Sequence, residues 1–434
     1  MRASSLFIHF ILLVLFVFAT VNCSSASSGS DEEEFSTYVL DGRAAGCFGD
    51  LKSTEVRSSG SEYTFSPSSG GTLAAAISSL KPGDTLILED GTYKERLSLG
   101  SAISGSANNY IQIKARNPGN AIISGNNASQ NEYHILTCAG AAYVKISGLT
   151  FADVKSSSGG AGVCVYPPSH HLMIENCTFR GIRTPSPTAS GHTANGIICF
   201  GSSVSASINN IFIKGNSFSD MATGWGECIT VSAHCENVNS VSNSINGTGN
   251  IGIDVGGNYR YCSDPAKDFA RNVYIAYNTV KNCKSPNASC ASIYADGGQH
   301  IIIENNTVSD GQVGIVAGAE QRPPKESYST GDILIRNNDI EGFKNGAFHC
   351  GGWQKGLGWV KGVRFTGNTC RNNGNKSDGA VVVIDKCRDV EVSGNTFSNS
   401  GKFVGTDVYY TFGNESEYTK NVTITSNKWD LPRS

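Results

Sequence analysis

The stretch ASIYADGGQHIIIENNTVSDGQVGIVAGAE, residues 291–320, decides the fold of this chain. It contains short apolar runs, and an Asn-Asn-Thr-Val turn follows the run at 301–303. Acidic residues, Asp296 and Glu320, stand at matching ends of two strand-like segments on either side of that turn. The same order of strand, turn asparagine and strand is repeated along most of the chain, and this repetition predicts the fold.

The repeated unit is an alternating strand, an asparagine, a threonine or serine, and an apolar residue. Its asparagines lie 27 to 35 residues apart, at Asn216, Asn243, Asn278, Asn306, Asn338, Asn368, Asn395 and Asn427. A period of this length with short strands is typical of a solenoid, and the Leu-x-x-Leu-x-Leu frame of a leucine-rich horseshoe is absent. We therefore predict an all-β, right-handed parallel β-helix of about ten to twelve coils, in which the turn asparagines stack as a ladder.

A second family of strands follows each turn and aligns in columns. Period-2 alternation predicts two core columns, Ile229, Ile253, Ile293, Ile315, Phe348, Val382 and Val231, Val255, Ala295, Ala317, Cys350, Ile384. The intervening columns are predicted to face outward: Thr230, Asp254, Tyr294, Val316, His349, Val383 and Ser232, Gly256, Asp296, Gly318, Gly351, Asp385. Glycines at 256–257, 297–298, 318 and 351–352 are interpreted as leaving an open groove beside the acids.

The two ends of the chain differ from the repeat. Residues 1–23 have a basic start and an apolar core, which predicts a secretory signal peptide and an extracellular protein. Residues 24–64 are expected to be a polar, partly disordered segment, and residues 65–434 a single β-helix domain. A short helix at 72–80, followed by a strand at 85–88, is predicted to cap the first coil.

Composition limits the partners. Only 16% of residues are charged and the formal net charge is −3, which argues against nucleic acid. No later run is long and apolar enough for an integral membrane segment in the mature chain, and we expect a monomer. Fourteen cysteines in a secreted chain make disulfides plausible, with Cys228, Cys235, Cys262, Cys283 and Cys290 as candidates for pairing.

Eight Asn-x-Ser/Thr sequons are present. We favour glycans at the loop positions Asn127, Asn246, Asn287, Asn375, Asn414 and Asn421. At Asn176 and Asn305, a turn requirement explains the asparagine equally well.

Two segments carry a family resemblance. LAAAISSLKPGDTLILEDGTYKE, residues 73–95, followed by NNYIQIKARNPGNAIISG, residues 108–125, resembles the first coils of secreted β-helix lyases of the alginate and chondroitin type. Residues 292–320 resemble β-helix proteins described mainly by their fold. The chain thus resembles the pectin-lyase-like superfamily, which implies an extracellular carbohydrate-active enzyme with its site on one sheet face. The Asp-Asp and Gly-His-Gly motifs of polygalacturonases and an Arg-Ile-Lys motif are missing, so the resemblance implies no particular reaction.

The candidate catalytic residues are Asp254, Asp296 and Glu320, which follow the same strand family on successive coils. Stacking is expected to bring their carboxyls to about 5 to 9 Å, the range used by glycosidases. Crowding is expected to separate their pKa values, so that one keeps its proton. His349, and with it His234, is a candidate for assisting proton transfer.

Loops after these strands supply candidate substrate-binding residues. They are Tyr259, Arg260, Lys267, Tyr294, Arg322, Lys325, Trp353 and Trp359. Aromatic rings stack on sugar faces, and Arg or Lys can clamp the carboxylates of acidic sugars.

Three functions remain open from the sequence. The first is hydrolysis of glycosidic bonds by Asp296 and Glu320 without a cofactor, with Asp254 as helper. The second is elimination from a uronate chain, in which Asp254, Asp296 and Glu320 bind Ca²⁺ and Lys267 or Arg260 acts as base. The third is a non-catalytic carbohydrate-binding or cell-surface protein. In each case the partner is a polysaccharide or oligosaccharide.

Overall fold

The computed structural model describes residues 56–126, 134–351, 359–374, 380–398 and 419–430. Within these ranges the chain forms one α-helix, α1 (Leu73–Ser78), a 3₁₀ turn (Glu326–Tyr328), and strands that we number in chain order. The strands are β1 (Glu62–Phe65), β2 (Thr85–Leu88), β3 (Gly91–Tyr93), β4 (Leu97–Gly100), β5 (Ile111–Ala115), β6 (Ala121–Ser124), β7 (Leu136–Ala139), β8 (Ala142–Ser147), β9 (Thr150–Ala152), β10 (Ser158–Tyr166), β11 (His170–Glu175), β12 (Thr178–Arg183), β13 (Thr193–Gly201), β14 (Ile208–Lys214), β15 (Ser217–Ala222), β16 (Ile229–Ala233), β17 (Cys235–Val241), β18 (Ser244–Thr248), β19 (Ile253–Gly256), β20 (Arg271–Ala276), β21 (Thr279–Cys283), β22 (Ala291–Asp296), β23 (Gln299–Glu304), β24 (Thr307–Ser309), β25 (Val313–Gly318), β26 (Thr330–Arg336), β27 (Asp339–Glu341), β28 (Phe348–Gly351), β29 (Val360–Thr366), β30 (Thr369–Arg371), β31 (Val382–Asp385), β32 (Cys387–Ser393), β33 (Thr396–Ser398), β34 (Lys420–Thr425) and β35 (Lys428–Trp429).

Three long sheets run side by side along the chain, and the strands paired within each sheet are parallel. Within the described ranges they contain 13, 10 and 12 strands. Sheet 1 has the order β1-β2-β5-β8-β11-β14-β17-β20-β23-β26-β29-β32-β34, sheet 2 the order β31-β28-β25-β22-β19-β16-β13-β10-β7-β4, and sheet 3 the order β3-β6-β9-β12-β15-β18-β21-β24-β27-β30-β33-β35. From β2 onward, successive strands visit sheets 1, 3 and 2 in turn through most of the described chain, so the predicted right-handed parallel β-helix is confirmed.

The repeated asparagines form the predicted ladder inside the turn between sheets 1 and 3. Asn278 shows the pattern: its backbone N–H and its side-chain amide both donate to Asn306 Oδ1, each at 2.9 Å. The same amide donates to Ser240 O at 2.9 Å, one coil back. Asn306 repeats these contacts with Asn338 and Ile275. The ladder thus satisfies buried polar groups in a turn that would otherwise leave them unpaired.

The interior is filled by columns of apolar side chains. Both predicted core columns are confirmed, since Ile229, Ile253 and Ile293 are in register and buried. Aromatic residues stack coil on coil as well, with ring centroids of Phe179 and Phe218 4.7 Å apart and nearly coplanar. That spacing equals the rise from one coil to the next, which is why identical residues recur at matching positions.

The first coil begins earlier than residue 65, because β1 starts at Glu62 and pairs with β2. The helix α1 is shorter than predicted, with Thr72 as its N-cap and Ser79 as its C-cap. The Glu95 carboxylate accepts from the N–H groups of Leu73 and Ala74. Leu73 and Ile77 are buried in the main core, so α1 contributes apolar side chains to the first coils as expected of a cap.

The expected disulfides are not found. Each of the twelve cysteines in the described ranges is free and buried, among them Cys228, Cys235, Cys262, Cys283 and Cys290. These side chains occupy small apolar positions in the coils, which is the usual role of a buried free cysteine. Burial raises the pKa of the Cys138 and Cys235 thiols, which disfavours the reactive thiolate.

None of the helices in the described ranges is long and apolar enough to cross a bilayer. The predicted signal peptide and most of the polar segment after it lie outside those ranges, as do Asn127, Asn375 and Asn414. Asn246 and Asn421 are exposed and Asn287 is half-buried. The Asn287 amide donates to Pro187 O at 2.8 Å. Glycosylation stays a prediction.

Candidate active site

Sheet 2 carries the candidate acids, and the predicted strand register is correct. Thr230 pairs with Asp254, and Asp254 with Tyr294. Asp296 pairs with Gly318 on the next coil. The prediction that these side chains face an open surface is wrong, because Asp254 and Asp296 are only 7% and 3% exposed. Loops that leave the strand ends cover this face, so the acids lie in a low-dielectric environment.

The glycines beside the acids have a different role from the one predicted. A Cβ on Gly257 would lie 2.5 Å from Gly297 O, and a Cβ on Gly318 would lie 2.7 Å from the Tyr294 ring. These glycines therefore allow neighbouring coils and the Tyr294 ring to pack closely. The interpretation of a groove opened by glycine is wrong for both positions.

Asp296 and Glu320 are joined by a tyrosine from another loop. The Tyr259 hydroxyl donates to Asp296 Oδ2 and lies 3.1 Å from Glu320 Oε2. The Glu320 N–H donates to Asp296 Oδ1 at 2.8 Å. Two acceptors of one hydroxyl lie no further apart than about two hydrogen-bond lengths, roughly 6 Å. This upper limit is compatible with the roughly 5 to 5.5 Å between the two carboxyls of a retaining glycosidase.

A fourth acid, Glu227, belongs to this cluster and was not predicted. Thr230 Oγ1 donates to Glu227 Oε2 at 2.8 Å, and the Asn250 amide lies 3.4 Å from Glu227 Oε1. The Glu227 N–H donates to Asn195 Oδ1. Glu227 stands two residues before β16, so its position just outside an aligned strand was the available signal.

Asp254 lies among the other three acids. Its Oδ1 is buried and has no hydrogen-bond partner in the described part of the chain. An unpaired buried carboxyl oxygen is costly when ionised. Burial, and then the charges of Asp296, Glu227 and Glu320, raise the pKa of Asp254 well above its usual range.

The same causes act on the rest of the cluster. Burial and the Glu320 charge raise the pKa of Asp296 to about 8. Burial is also the main reason that the pKa of Glu227 rises to about 7, and it raises the pKa of Glu320. The Tyr259 hydroxyl opposes these shifts, because donating to a carboxylate favours the ionised form. At neutral pH the cluster therefore retains protons that isolated carboxyls would lose.

Counting protons between Asp296, Tyr259 and Glu320 leads to the same conclusion. One phenolic proton can be donated to only one carboxylate at a time. A proton retained on one carboxyl gives the pair a second O–H donor, and the raised pKa of Asp296 favours this form. Such a pair contains an acid and a base side by side, which is the arrangement that general acid–base chemistry requires.

The loop after β19, residues 257–270, positions Tyr259. Within it the Asp268 carboxylate accepts from the backbone N–H groups of Arg260 and Cys262. The Asn258 amide donates to Tyr328 O on a different loop. These bonds fix the loop over sheet 2 and hold the Tyr259 hydroxyl against the two acids.

Three of the four basic residues predicted to bind substrate are engaged elsewhere, whereas the fourth, Arg260, is exposed on the loop that carries Tyr259. Lys267 Nζ donates to Val204 O at 3.0 Å and lies 3.9 Å from Asp264. Arg322 lies over the Trp359 ring at 4.4 Å, and Lys325 lies over the Tyr328 ring at 5.7 Å. The structure thus does not bring these cations onto the carboxyl cluster.

The remaining predicted residues are placed as follows. Tyr294 is buried beside Gly318 and is not a surface ring. His349 is buried, its Nε2 lies 2.7 Å from Asn345 O, and burial lowers its pKa to about 4. His234 Nδ1 lies 2.8 Å from Ser203 O. Trp353 lies outside the described ranges. Proton transfer by either histidine stays a prediction.

The donor set does not fit a calcium ion bound at Asp254, Asp296 and Glu320. The Tyr259 hydroxyl occupies the position between two of these carboxyls at which a shared cation would sit. Within the described ranges, no group of three or more His, Cys, Asp and Glu side chains has the arrangement of a metal site.

Comparison with known proteins identifies the family. Residues 134–327 match the model of the right-handed β-helix region, and residues 68–160 match the chondroitinase B model. The chain is 30% identical over 359 residues to the uncharacterized protein YwoF of Bacillus subtilis (strain 168), covering 79% of this chain and 74% of that protein. The chain belongs to the pectin-lyase-like right-handed β-helix superfamily. The chondroitinase B match ends before the first of the four acids.

Solved structures with a similar fold include enzymes and an adhesin. The Yersinia enterocolitica family 28 exopolygalacturonase has a TM-score of 0.53 at 13% identity, covering 85% of this chain and 79% of that one. The Eubacterium ramulus GH136 lacto-N-biosidase has a TM-score of 0.52 at 14% identity, covering 86% and 68%. PfbA, a surface adhesin of Streptococcus pneumoniae, has a TM-score of 0.51 at 14% identity, covering 81% and 84%. At these identities the likeness establishes the fold alone.

Proposed function

We propose that this protein is a secreted enzyme that hydrolyses glycosidic bonds of a polysaccharide or oligosaccharide at the carboxyl cluster of sheet 2. The observation that carries the proposal is the Tyr259 hydroxyl shared between Asp296 and Glu320. It supports an acid and a base at a separation compatible with glycosidases, with Asp296 covered and both pKa values raised.

In this mechanism Asp296 is the acid, because its pKa of about 8 keeps it protonated at neutral pH. Asp296 gives its proton to the glycosidic oxygen as the bond from that oxygen to the sugar carbon breaks. Glu320, the more exposed partner, attacks the sugar carbon or removes a proton from the water that attacks it. Water is consumed, and each cleavage yields one new reducing end.

Glu227 supports the pair. It is close enough for its charge to raise the pKa values of Asp254 and Asp296. When ionised, Glu227 adds negative potential next to the reacting carbon, which stabilises the positive charge that develops on the sugar in the transition state.

The decisive experiment is incubation of the purified protein with a panel of neutral and acidic polysaccharides. We expect new reducing ends without the ultraviolet absorbance of an unsaturated uronate, and we expect a calcium chelator to leave the rate unchanged. The variants Asp296→Asn and Glu320→Gln are each expected to lower kcat by about 10²- to 10⁴-fold.

Asp430→Asn and Glu62→Gln are the matched controls, because both residues are exposed and lie away from sheet 2. They are expected to keep full activity. An unsaturated product, or full activity in both active-site variants, would refute the hydrolytic assignment.

A further inference from the structure

A continuous line of aromatic rings leads away from the carboxyl cluster toward the N-terminal coils. The rings of Tyr259 and Tyr261 are stacked, with centroids 5.6 Å apart and planes 14° apart. Tyr261 continues to Phe200 at 4.8 Å, and Phe200 to Tyr166 at 6.1 Å. Because Tyr259 also bonds Asp296 and Glu320, the line begins at the acid pair itself.

The coil register shows what lies between Phe200 and the acid pair. Phe200 pairs with Ser232, and Ser232 with Gly256, on successive strands of sheet 2. Two small residues therefore separate Phe200 from the coil that carries Asp296, a rise of about 4.8 Å for each coil. Tyr261, on the loop 257–270, contacts the Phe200 ring across these two small residues.

The rings remain accessible at the surface. Tyr261 is 45% exposed, and Phe200 and Tyr166 are half-buried. Single exposed rings are common on protein surfaces, but Tyr261 belongs to a line of rings that begins at the acid pair. Ring faces of this kind offer contact area to the apolar faces of sugar rings.

The charge of the site selects among sugars. Four acids are clustered at one end of the line, and the groups that shift their pKa values are carboxyls, hydroxyls and amides rather than cations. Lys267, Arg322 and Lys325 are engaged with other partners. A uronate bound here would bring a further negative charge into a low-dielectric site already crowded with acids, and the cation of this loop, Arg260, acts on Asp268.

We infer that Tyr166, Phe200 and Tyr261 form a platform that binds a neutral glycan chain, running from the acid pair toward the N-terminal coils. This inference rests on the proposed function, since it names the substrate class of the same site. Uncharged sugar units stack on the platform, while the next unit enters the carboxyl cluster. Chains of uronates bind more weakly, because removing a further carboxylate from water and placing it beside the ionised members of the cluster are both unfavourable.

The test measures binding separately from turnover. In an Asp296→Asn background, calorimetry is carried out with neutral hexaoses of glucose, mannose, galactose, xylose or N-acetylglucosamine and with hexaoses of galacturonate, mannuronate or guluronate. We expect at least one neutral hexaose to bind and the uronates to bind at least tenfold more weakly. Adding Tyr261→Ala is expected to weaken binding of the neutral chain about tenfold, whereas Tyr261→Phe keeps it.

Tyr63→Ala is the matched control, because Tyr63 is 47% exposed on β1, in sheet 1. It is expected to leave the dissociation constant unchanged, and thermal unfolding checks that each variant is folded. Equal or tighter binding of a uronate, no binding of any neutral chain, or an unchanged constant in a folded Tyr261→Ala variant would each overturn the inference. Binding as expected together with no turnover by the natural protein would refute only the hydrolase.

Discussion

At the scale of single residues, Tyr259 determines how the acid pair titrates. Its hydroxyl favours the ionised forms of both Asp296 and Glu320. In Tyr259→Phe we expect both pKa values to rise and kcat to fall about tenfold, the cost of losing a hydrogen bond to a charged group. The natural enzyme should lose activity as pH rises through about 8, and the variant at a higher pH. A pH–rate profile with an unchanged alkaline limb would contradict this role.

Asp296 also makes stability depend on pH. Its pKa is raised to about 8 in the folded protein, so the unfolded chain releases this proton first, near its ordinary pKa of 3.8. Stability from this group is therefore fully present at acid pH and is lost as pH rises from about 4 to about 8. We expect Asp296→Asn to unfold at a higher temperature than the natural protein at pH 8.5, and at a similar temperature at pH 4. Equal shifts at both pH values would disprove the explanation.

The sequence predicts some site residues and not others for a physical reason. Asp254 and Asp296 were found because they occupy columns fixed by period-2 alternation within a strand. Glu227 was missed because it lies just before its strand, where no alternation applies. The contact of Tyr259 with two acids depends on how the loop 257–270 folds back, and the Asp268 bonds that hold this loop have no periodic pattern.

At the scale of elements, the asparagine ladder has the strictest hydrogen-bonding requirements in the coil. Asn306→Ala removes the acceptor of the Asn278 backbone and amide N–H groups and the donor to Ile275 O. Each buried group left unpaired costs about 1 to 3 kcal/mol, so the total loss is several kcal/mol. Asn427→Ala, at the C-terminal end of the described ladder, should lower the free energy of unfolding by less. A denaturant titration that ranks the two variants equally would contradict this view of the ladder.

Strand order and core columns were predictable, whereas what covers the outward face of sheet 2 was not. Asparagines at a regular period specify the coil, and alternation specifies which side chains point inward. The loops between strands differ in length and composition from coil to coil, so their paths over the sheet leave no repeated signal. For this reason Asp254 and Asp296 were placed in the correct columns and wrongly expected to be exposed, whereas Glu320, just past its strand, is exposed as expected.

At the scale of the whole molecule, the described coils are stabilised by stacking and contain no disulfide cross-link. The twelve described cysteines are free and buried. We expect these thiols to resist an alkylating reagent in the folded protein and to react after unfolding, as mass spectrometry of the labelled peptides can measure. A reducing agent should leave the unfolding temperature unchanged. Loss of stability on reduction would indicate a cross-link that this arrangement does not contain.

The four acids come from successive strands of sheet 2, yet the segments between those strands differ greatly in length. Lengthening the segment 257–270 would leave β20 in place on sheet 1, because the next coil pairs with the one beneath it whatever path the chain takes outside. One extra residue inside a strand would instead exchange the inward and outward side chains of that strand. Among relatives of this protein, insertions and deletions should therefore accumulate at 257–270 and 319–329 and be avoided within β19, β22 and β25. Evolution can then alter which sugars reach the site without disturbing the acids beneath.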